Sequence, residues 1–315
     1  MSVKNSPRFV LGRLACLLLA FGPVRAATPT DIRVTRDVSY LGAGRTEKLD
    51  LYLPAKPAAG GLSPAFVCIH GGGWMNLSKS EGRSVEICTT LAKAGYVAVS
   101  IDYRMGPGSW PTNLFDCKNA VRFLRSHATE YQLDPDRIAV GGGSAGGHLA
   151  QMVGFTAGNP ELEPVGAATP YPGVSSAVRA VVDMYGPSSV WITEKTHANQ
   201  LPAERQAKLA ERLAVFGAPD GTAEVLRVAS PITHITKKSP PVLILHGVND
   251  PNVELDQSRD LAAALKKQGI EHELVFVEGA GHSFDLETWN KQPLTRDLRP
   301  VVLAFLAKHL SPATH

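Results

Sequence analysis

The sequence predicts an α/β protein: a mostly parallel central sheet flanked by helices, with a small cap insertion. Three observations point there. From residue 65 onward, short apolar β-branched runs alternate with longer segments of helical periodicity, the pattern of βαβ units. Residues 138–150 pass from such a run, through five glycines in seven positions around Ser144, straight into an apolar helix. The chain has 315 residues, 44% of them hydrophobic, enough to bury the core of one α/β domain.

Taken in order, residues 1–26 read as an export signal. Lys4, Arg8 and Arg13 precede a short apolar run, 14–24, and Val24-Arg25-Ala26 suits cleavage after Ala26. Eleven residues are too few to span a bilayer, and Arg13 spoils a lipoprotein reading of Cys16. The expectation is a secreted or periplasmic protein whose α/β domain occupies 27–315. Residues 32–40 and 48–53 alternate as an opening antiparallel hairpin turning at Gly42 and Gly44. Strands are expected at 65–69, 96–101, 137–140, 180–184, 242–245 and 273–277, and helices at 80–94, 112–127, from Ser144, at 254–268 and from about Pro300. The longest break in this rhythm, about 186–240, reads as the cap, and 157–178 as a second insertion.

Charge excludes little but removes a false lead. The formal charge of +3 comes from 32 basic and 29 acidic residues, and the signal holds four of the basic ones. Without it the chain is close to neutral, so no nucleic-acid or membrane partner is implied. Cys68, Cys88 and Cys117, an odd number, read as buried small hydrophobes and not as a disulfide framework.

The stretch around Ser144 fits two chemistries. Gly142-Gly143-Ser144-Ala145-Gly146 is G-x-S-x-G, the elbow that lifts a nucleophilic serine above a sheet. Gly141, Gly143 and Gly146 also spell G-x-G-x-x-G, a dinucleotide turn that wants an acid some 20 residues on, where Glu161 and Glu163 stand in a Pro-rich loop. In a parallel sheet the loops after the strands gather at one carboxyl edge. Ser144, Asp250 and His282 each follow a different expected strand, in the chain order of a serine hydrolase triad. A serine hydroxyl needs a base to take its proton, and that histidine needs a carboxylate to fix its tautomer. His70-Gly71-Gly72-Gly73-Trp74 follows another strand and offers bare amides for an oxyanion. The hole is assigned to the amides of Gly72 and Ala145, with Gly71 or Gly73 contributing.

With these residues in view, the sequence resembles secreted or periplasmic esterases of the α/β-hydrolase superfamily, where hormone-sensitive-lipase-like carboxylesterases meet bacterial feruloyl and acetylxylan esterase-like domains. The matching segments are Leu49 to Pro54, His70 to Trp74, Asp102-Tyr103-Arg104, Asp134 to Ile138, the Ser144 elbow, His246-Gly247 with Asp250, and Gly281-His282. The resemblance implies an α/β-hydrolase fold, a Ser144, His282 and Asp250 triad, and hydrolysis of carboxylic esters through an acyl-enzyme without a cofactor. Gly143, where the lipase-like pattern carries an acid, and the lack of a helical cap before the first strand favour the feruloyl or acetyl branch. Short-chain, acetyl or aryl esters are then expected, including esters borne on plant polysaccharide. An amide or peptide substrate remains open, because the triad does not separate the two.

The other candidates have plainer readings. His70 is expected to shape the oxyanion loop, His148 to pack its helix and His246 to brace the Asp250 loop. The remaining histidines show no metal-ligand spacing, so no metal is expected. Asp183 is the rival to Asp250, while Asp102, Asp116 and Asp285 read as local hydrogen-bond acceptors. Trp74, Trp110, Trp191 and Trp289 all follow expected strands, which suggests an aromatic-walled cleft for an aryl group or a sugar ring.

Overall fold

Eight strands form one sheet: β1 (Ile32–Ser39), β2 (Lys48–Pro54), β3 (Ser63–Ile69), β4 (Val97–Ile101), β5 (Leu133–Gly143), β6 (Ala180–Met184), β7 (Val242–Gly247) and β8 (His272–Val277). Their spatial order is β1-β2-β4-β3-β5-β6-β7-β8. The first hairpin is antiparallel and β2 runs antiparallel to β4; every later pairing is parallel. This computed structural model describes residues 32–55, 61–190, 203–218 and 224–312. The expected export signal and Trp191 lie outside them.

Parallel strands need crossovers, and the helices supply them: α1 (Gly82–Lys93), α2 (Thr112–Ser126), α3 (Ala128–Tyr131), α4 (Ala145–Phe155), α5 (Ala203–Leu213), α6 (Glu224–Val228), α7 (Leu255–Lys267) and α8 (Arg299–His309). Alternation along β3 sends Ala65, Val67 and Ile69 into a core with α2, α4 and α7, and Phe66 and Cys68 into a second core with α1 and α8. Both faces of the sheet are therefore covered, which is why the strands read as continuous apolar runs. Among the described residues no helix is long and apolar enough to cross a membrane.

The strand order changes direction at β3. From there the chain steps outward to β4 on one side, while β5 and its successors step outward on the other. The loops leaving β3 and β5 therefore part at adjacent strand ends, the place where open α/β sheets form a ligand crevice. The registers Ile69↔Gly142 and Gly142↔Asp183 put the run-up to Ser144 between two neighbours at mid-sheet.

Several elements depart from the expectation, among them short helices α3 and α6, the start of β5 and a small ribbon. β5 starts at Leu133, where Leu133 pairs with Ser63 ahead of an irregularity. Ahead of the expected start at residue 137, the Asp136 amide donates to Asp134 Oδ1 at 3.0 Å. A two-stranded ribbon, β9 (Thr288–Trp289) with β10 (Gln292–Pro293), is too short to show in a period-two pattern.

Candidate active site

Ser144 stands between β5 and α4 with φ 57° and ψ −121°, a region a side chain enters at a cost of about 1–3 kcal/mol. Close packing holds it there. A Cβ on Gly142 would lie 2.3 Å from the Ile69 carbonyl oxygen, and one on Gly146 would lie 2.0 Å from the same oxygen. The elbow can press onto the end of β3 only because both positions are glycine. The Ser144 amide donates to the Met184 carbonyl of β6 at 2.9 Å, tying the turn to the other neighbour.

Residues 138 positions apart in the chain meet here. His282 Nε2 lies 2.9 Å from Ser144 Oγ, and His282 Nδ1 lies 2.7 Å from Asp250 Oδ2. A carboxylate only accepts, so Nδ1 carries the proton and Nε2 turns its lone pair toward the serine hydroxyl. Asp250 Oδ1 accepts the amides of Asn252 and Val253 at 2.8 and 3.0 Å. Burial alone would raise the Asp250 carboxyl, but hydrogen bonds from His246, His282 and the Val253 amide outweigh it and hold the group well below the usual carboxylate range. His246 braces this loop, with Nε2 donating to the Val253 carbonyl at 3.0 Å and Nδ1 facing Ser258 Oγ at 2.6 Å.

Asp183 is elsewhere. It is fully buried under the elbow, where its Oδ1 accepts the Gly186 amide at 3.1 Å. Its Oδ2 has no partner among the described residues, and burial raises the carboxyl to about 7. Asp102 accepts the Lys79 amide, Asp116 is gripped by Arg45 and Arg104, and Asp285 accepts the Glu287 amide.

A cavity of ≈ 860 Å³ opens over Ser144 and His282, with Gly71, Gly72, Gly73 and Ala145 on its wall. Gly72 and Gly73 have φ of 99° and 61°, and the Gly72 carbonyl turns back to accept the amides of Met75 and Asn76. Ala145 is the first residue of α4, where an amide has no partner within its helix and the helix dipole is positive. His70 is structural: its Nδ1–H donates to the Gly71 carbonyl at 2.8 Å and its ring stacks on Tyr103 at 4.5 Å. Burial lowers its pKa below the ordinary histidine value.

The three described tryptophans, Trp74, Trp110 and Trp289, do not form one wall. Trp74 lines the cavity. Trp110 is a correction to the cleft expectation: it is buried behind that surface against Phe216 and His148, with ring centroids 5.7 and 6.3 Å apart. Trp289 is another, because its ring packs on Gly281 and its Nε1–H donates to the His282 carbonyl at 3.1 Å. It supports the histidine from outside the cavity. His148 joins Trp74, through Nδ1 at 3.3 Å, to the Ala229 carbonyl, through Nε2 at 2.7 Å. Burial lowers its pKa to about 4.

Sequence reasoning missed Tyr185. Its ring meets His282 edge-on at 4.9 Å and its hydroxyl donates to the Phe284 carbonyl at 2.8 Å, clamping the His282 loop. Burial pushes that hydroxyl's pKa far up, so it stays a donor. The clue was available, since Tyr185 directly follows β6 at the same carboxyl edge. Tyr185 also accounts for Gly143, where a Cβ would sit 2.6 Å from the tyrosine oxygen.

A family model, BD-FAE, matches residues 49–265, the greater part of the chain. The chain belongs to the BD-FAE family. Like the esterase structures it resembles, this BD-FAE chain has the α/β-hydrolase fold. It is 33% identical to the probable carboxylic ester hydrolase LipM of Mycobacterium tuberculosis over 83% of this chain and 61% of the relative. Esterase LipC of the same organism is 34% identical over 74% of this chain and 55% of that one. The chain thus spans little more than half the length of these relatives. A truncated carbohydrate esterase from gut microbiota superposes with a TM-score of 0.71 at 25% identity, covering 92% of this chain and 99% of that one. Est2 of Thermogutta terrifontis with propionate bound gives 0.64 at 30% identity, covering 92% and 97%. The dinucleotide alternative finds no acid in place: Glu163 is ion-paired with Lys118 and Arg122 at 2.8 and 2.6 Å, and Glu161 is exposed.

Proposed function

We propose that the protein is a serine esterase that hydrolyses short-chain, acetyl or aryl carboxylic esters through an acyl-enzyme. One observation carries the reading: the hydrogen-bonded series Ser144 Oγ, His282, Asp250 inside an open cavity. In this mechanism Ser144 Oγ attacks the ester carbonyl while His282 Nε2 takes its proton, and Asp250 stabilises the imidazolium that forms. The amides of Gly72 and Ala145, with Gly71 or Gly73, receive the oxyanion; one such donor is worth about 2.7–4 kcal/mol. His282 returns the proton to the leaving alcohol, then activates the water that deacylates Ser144. The esterase names of the relatives and the propionate-bound neighbour support this reading. The carbohydrate esterase neighbour supports sugar-linked esters among the substrates.

A panel of p-nitrophenyl esters from acetate to octanoate, with methyl ferulate, acetylated xylan and a p-nitroanilide, tests the reading. Turnover of the short esters, falling with chain length and exceeding that of the anilide, is expected. Hydrolysis of the anilide but of no ester would replace it with the amide reading. We further propose that 1–26 direct export, in which case the protein recovered from the periplasm or medium begins at Ala27.

A further inference from the structure

The wall of the cavity facing the glycine loop carries a cation that no described residue pairs. Arg212, in the last turn of α5, lines the same space as Ser144 and His282. A methyl group on Gly73 would come within 3.6 Å of Arg212 Nε and 3.9 Å of its Cγ. The side chain therefore lies along the loop whose amides face the reacting carbonyl. Among the described residues no carboxylate sits within ion-pair distance of its guanidinium. The acids around the cavity are held elsewhere or stand clear. Asp250 is bound to His282 and His246, and Glu81 to Arg83 at 3.1 Å. Glu211 and Glu254 also line the cavity and neither reaches Arg212.

The arginine is presented by a fixed support. Directly after α5, the carbonyls of Ala214 and Val215 accept the amides of Gly108 and Trp110 at 2.9 and 3.1 Å. Leu213, Val215 and Phe216 are buried, and the Phe216 ring packs edge-on against Trp74 at 5.2 Å. Trp74 is the chain neighbour of Gly73, so the arginine and the loop it overlies are anchored to one aromatic cluster. This support fixes the backbone that carries Arg212, while the side chain itself is exposed and offers a planar fork of donors of the kind that suits a carboxylate.

We propose that Arg212 is a specificity-determining residue that pairs with a carboxylate on the substrate, so that esters bearing a second, free acid group are preferred over neutral ones of the same size. This rests on the ester-hydrolase reading. The carboxylate can belong to the acyl group or to the alcohol, and two substrate pairs separate these. Mono-p-nitrophenyl succinate against p-nitrophenyl butyrate reads the acyl side; 4-acetoxybenzoate against 4-acetoxybenzamide reads the alcohol side.

The quantity measured is the ratio of kcat/KM for charged over neutral ester within each pair. Arg212→Gln is expected to lower one of the two ratios by about five- to ten-fold, mainly through KM, with Arg212→Lys keeping part of it. Raising the salt from about 50 to about 500 mM should erode the wild-type ratio in the same direction. Arg259→Gln, which removes an exposed arginine of α7 away from the cavity, should leave both ratios where they were. If both ratios survive in Arg212→Gln, or charged and neutral esters fall together, the pairing is wrong. If wild type turns over none of the four esters, the ester-hydrolase reading itself fails and takes this proposal with it.

Discussion

Gly143 and Asp250 show how much chemistry a single side chain decides. A carboxylate at 143 would have to displace the Tyr185 ring, which in turn steadies His282. Gly143→Asp should therefore destabilise the fold by about 1–3 kcal/mol, the usual cost of overpacking, read as a fall in Tm. Asp250→Asn should lower kcat by about 10³- to 10⁴-fold with little change in melting, because the amide can donate to Nδ1 and favours the wrong tautomer. Asp183, the rejected rival, has a different signature. In the unfolded chain it titrates near the ordinary carboxylate value, and in the fold near 7. Between about pH 4 and 7 the folded state alone keeps the proton, so this residue makes stability fall as pH rises through that window, with no further change above it. Asp183→Asn can keep the bond to the Gly186 amide and cannot ionise. Its stability relative to wild type should rise by a few kcal/mol as the pH is taken from about 4.5 to about 7.5, read by denaturant unfolding at each pH. The sequence placed Ser144, Asp250 and His282 at strand ends, and it left Tyr185 unnoticed because tyrosine after a strand has no motif of its own.

At the scale of elements, alternation and glycine stops located the strands of the sheet and the main helices to within a few residues. That worked because each strand is buried on both faces and each helix on one. Trp110 and Trp289 depart from the expected aromatic cleft for a physical reason. A tryptophan after a strand lies near the carboxyl edge, but direction depends on the segment that packs against it, and the turn at 214–216, directly after α5, receives Trp110 against Phe216. Trp110→Ala should consequently cost about 3–5 kcal/mol of stability and leave the ranking of acetyl, butyryl and feruloyl esters unchanged. A change in ranking without loss of Tm would restore Trp110 to the cleft. Nothing in the sequence pattern of α5 marks Arg212 as facing the oxyanion loop, since on a helical stripe it reads as an ordinary solvated cation.

At the scale of the molecule, function follows from topology. The reversal of strand order at β3 sets the His70 loop and the Ser144 elbow side by side, and the parallel run through β8 brings Asp250 and His282 to the same edge from distant parts of the chain. The second insertion is clasped to the body by Glu163, held between Lys118 and Arg122 and bonded to Ser176. Glu163→Gln would leave Lys118, buried with its pKa lowered to about 8, short of its counter-charge. A cost of about 3–5 kcal/mol is expected, with wild-type-like ester turnover below the melting point. The central claim, that Ser144 is the nucleophile, is tested most directly by labelling with an organophosphonate ester and mapping the adduct by peptide mass spectrometry. The account predicts one adduct, on Ser144, formed in step with loss of ester hydrolysis and absent from Ser144→Ala. An adduct on another residue, or ester turnover that survives in Ser144→Ala, would contradict it.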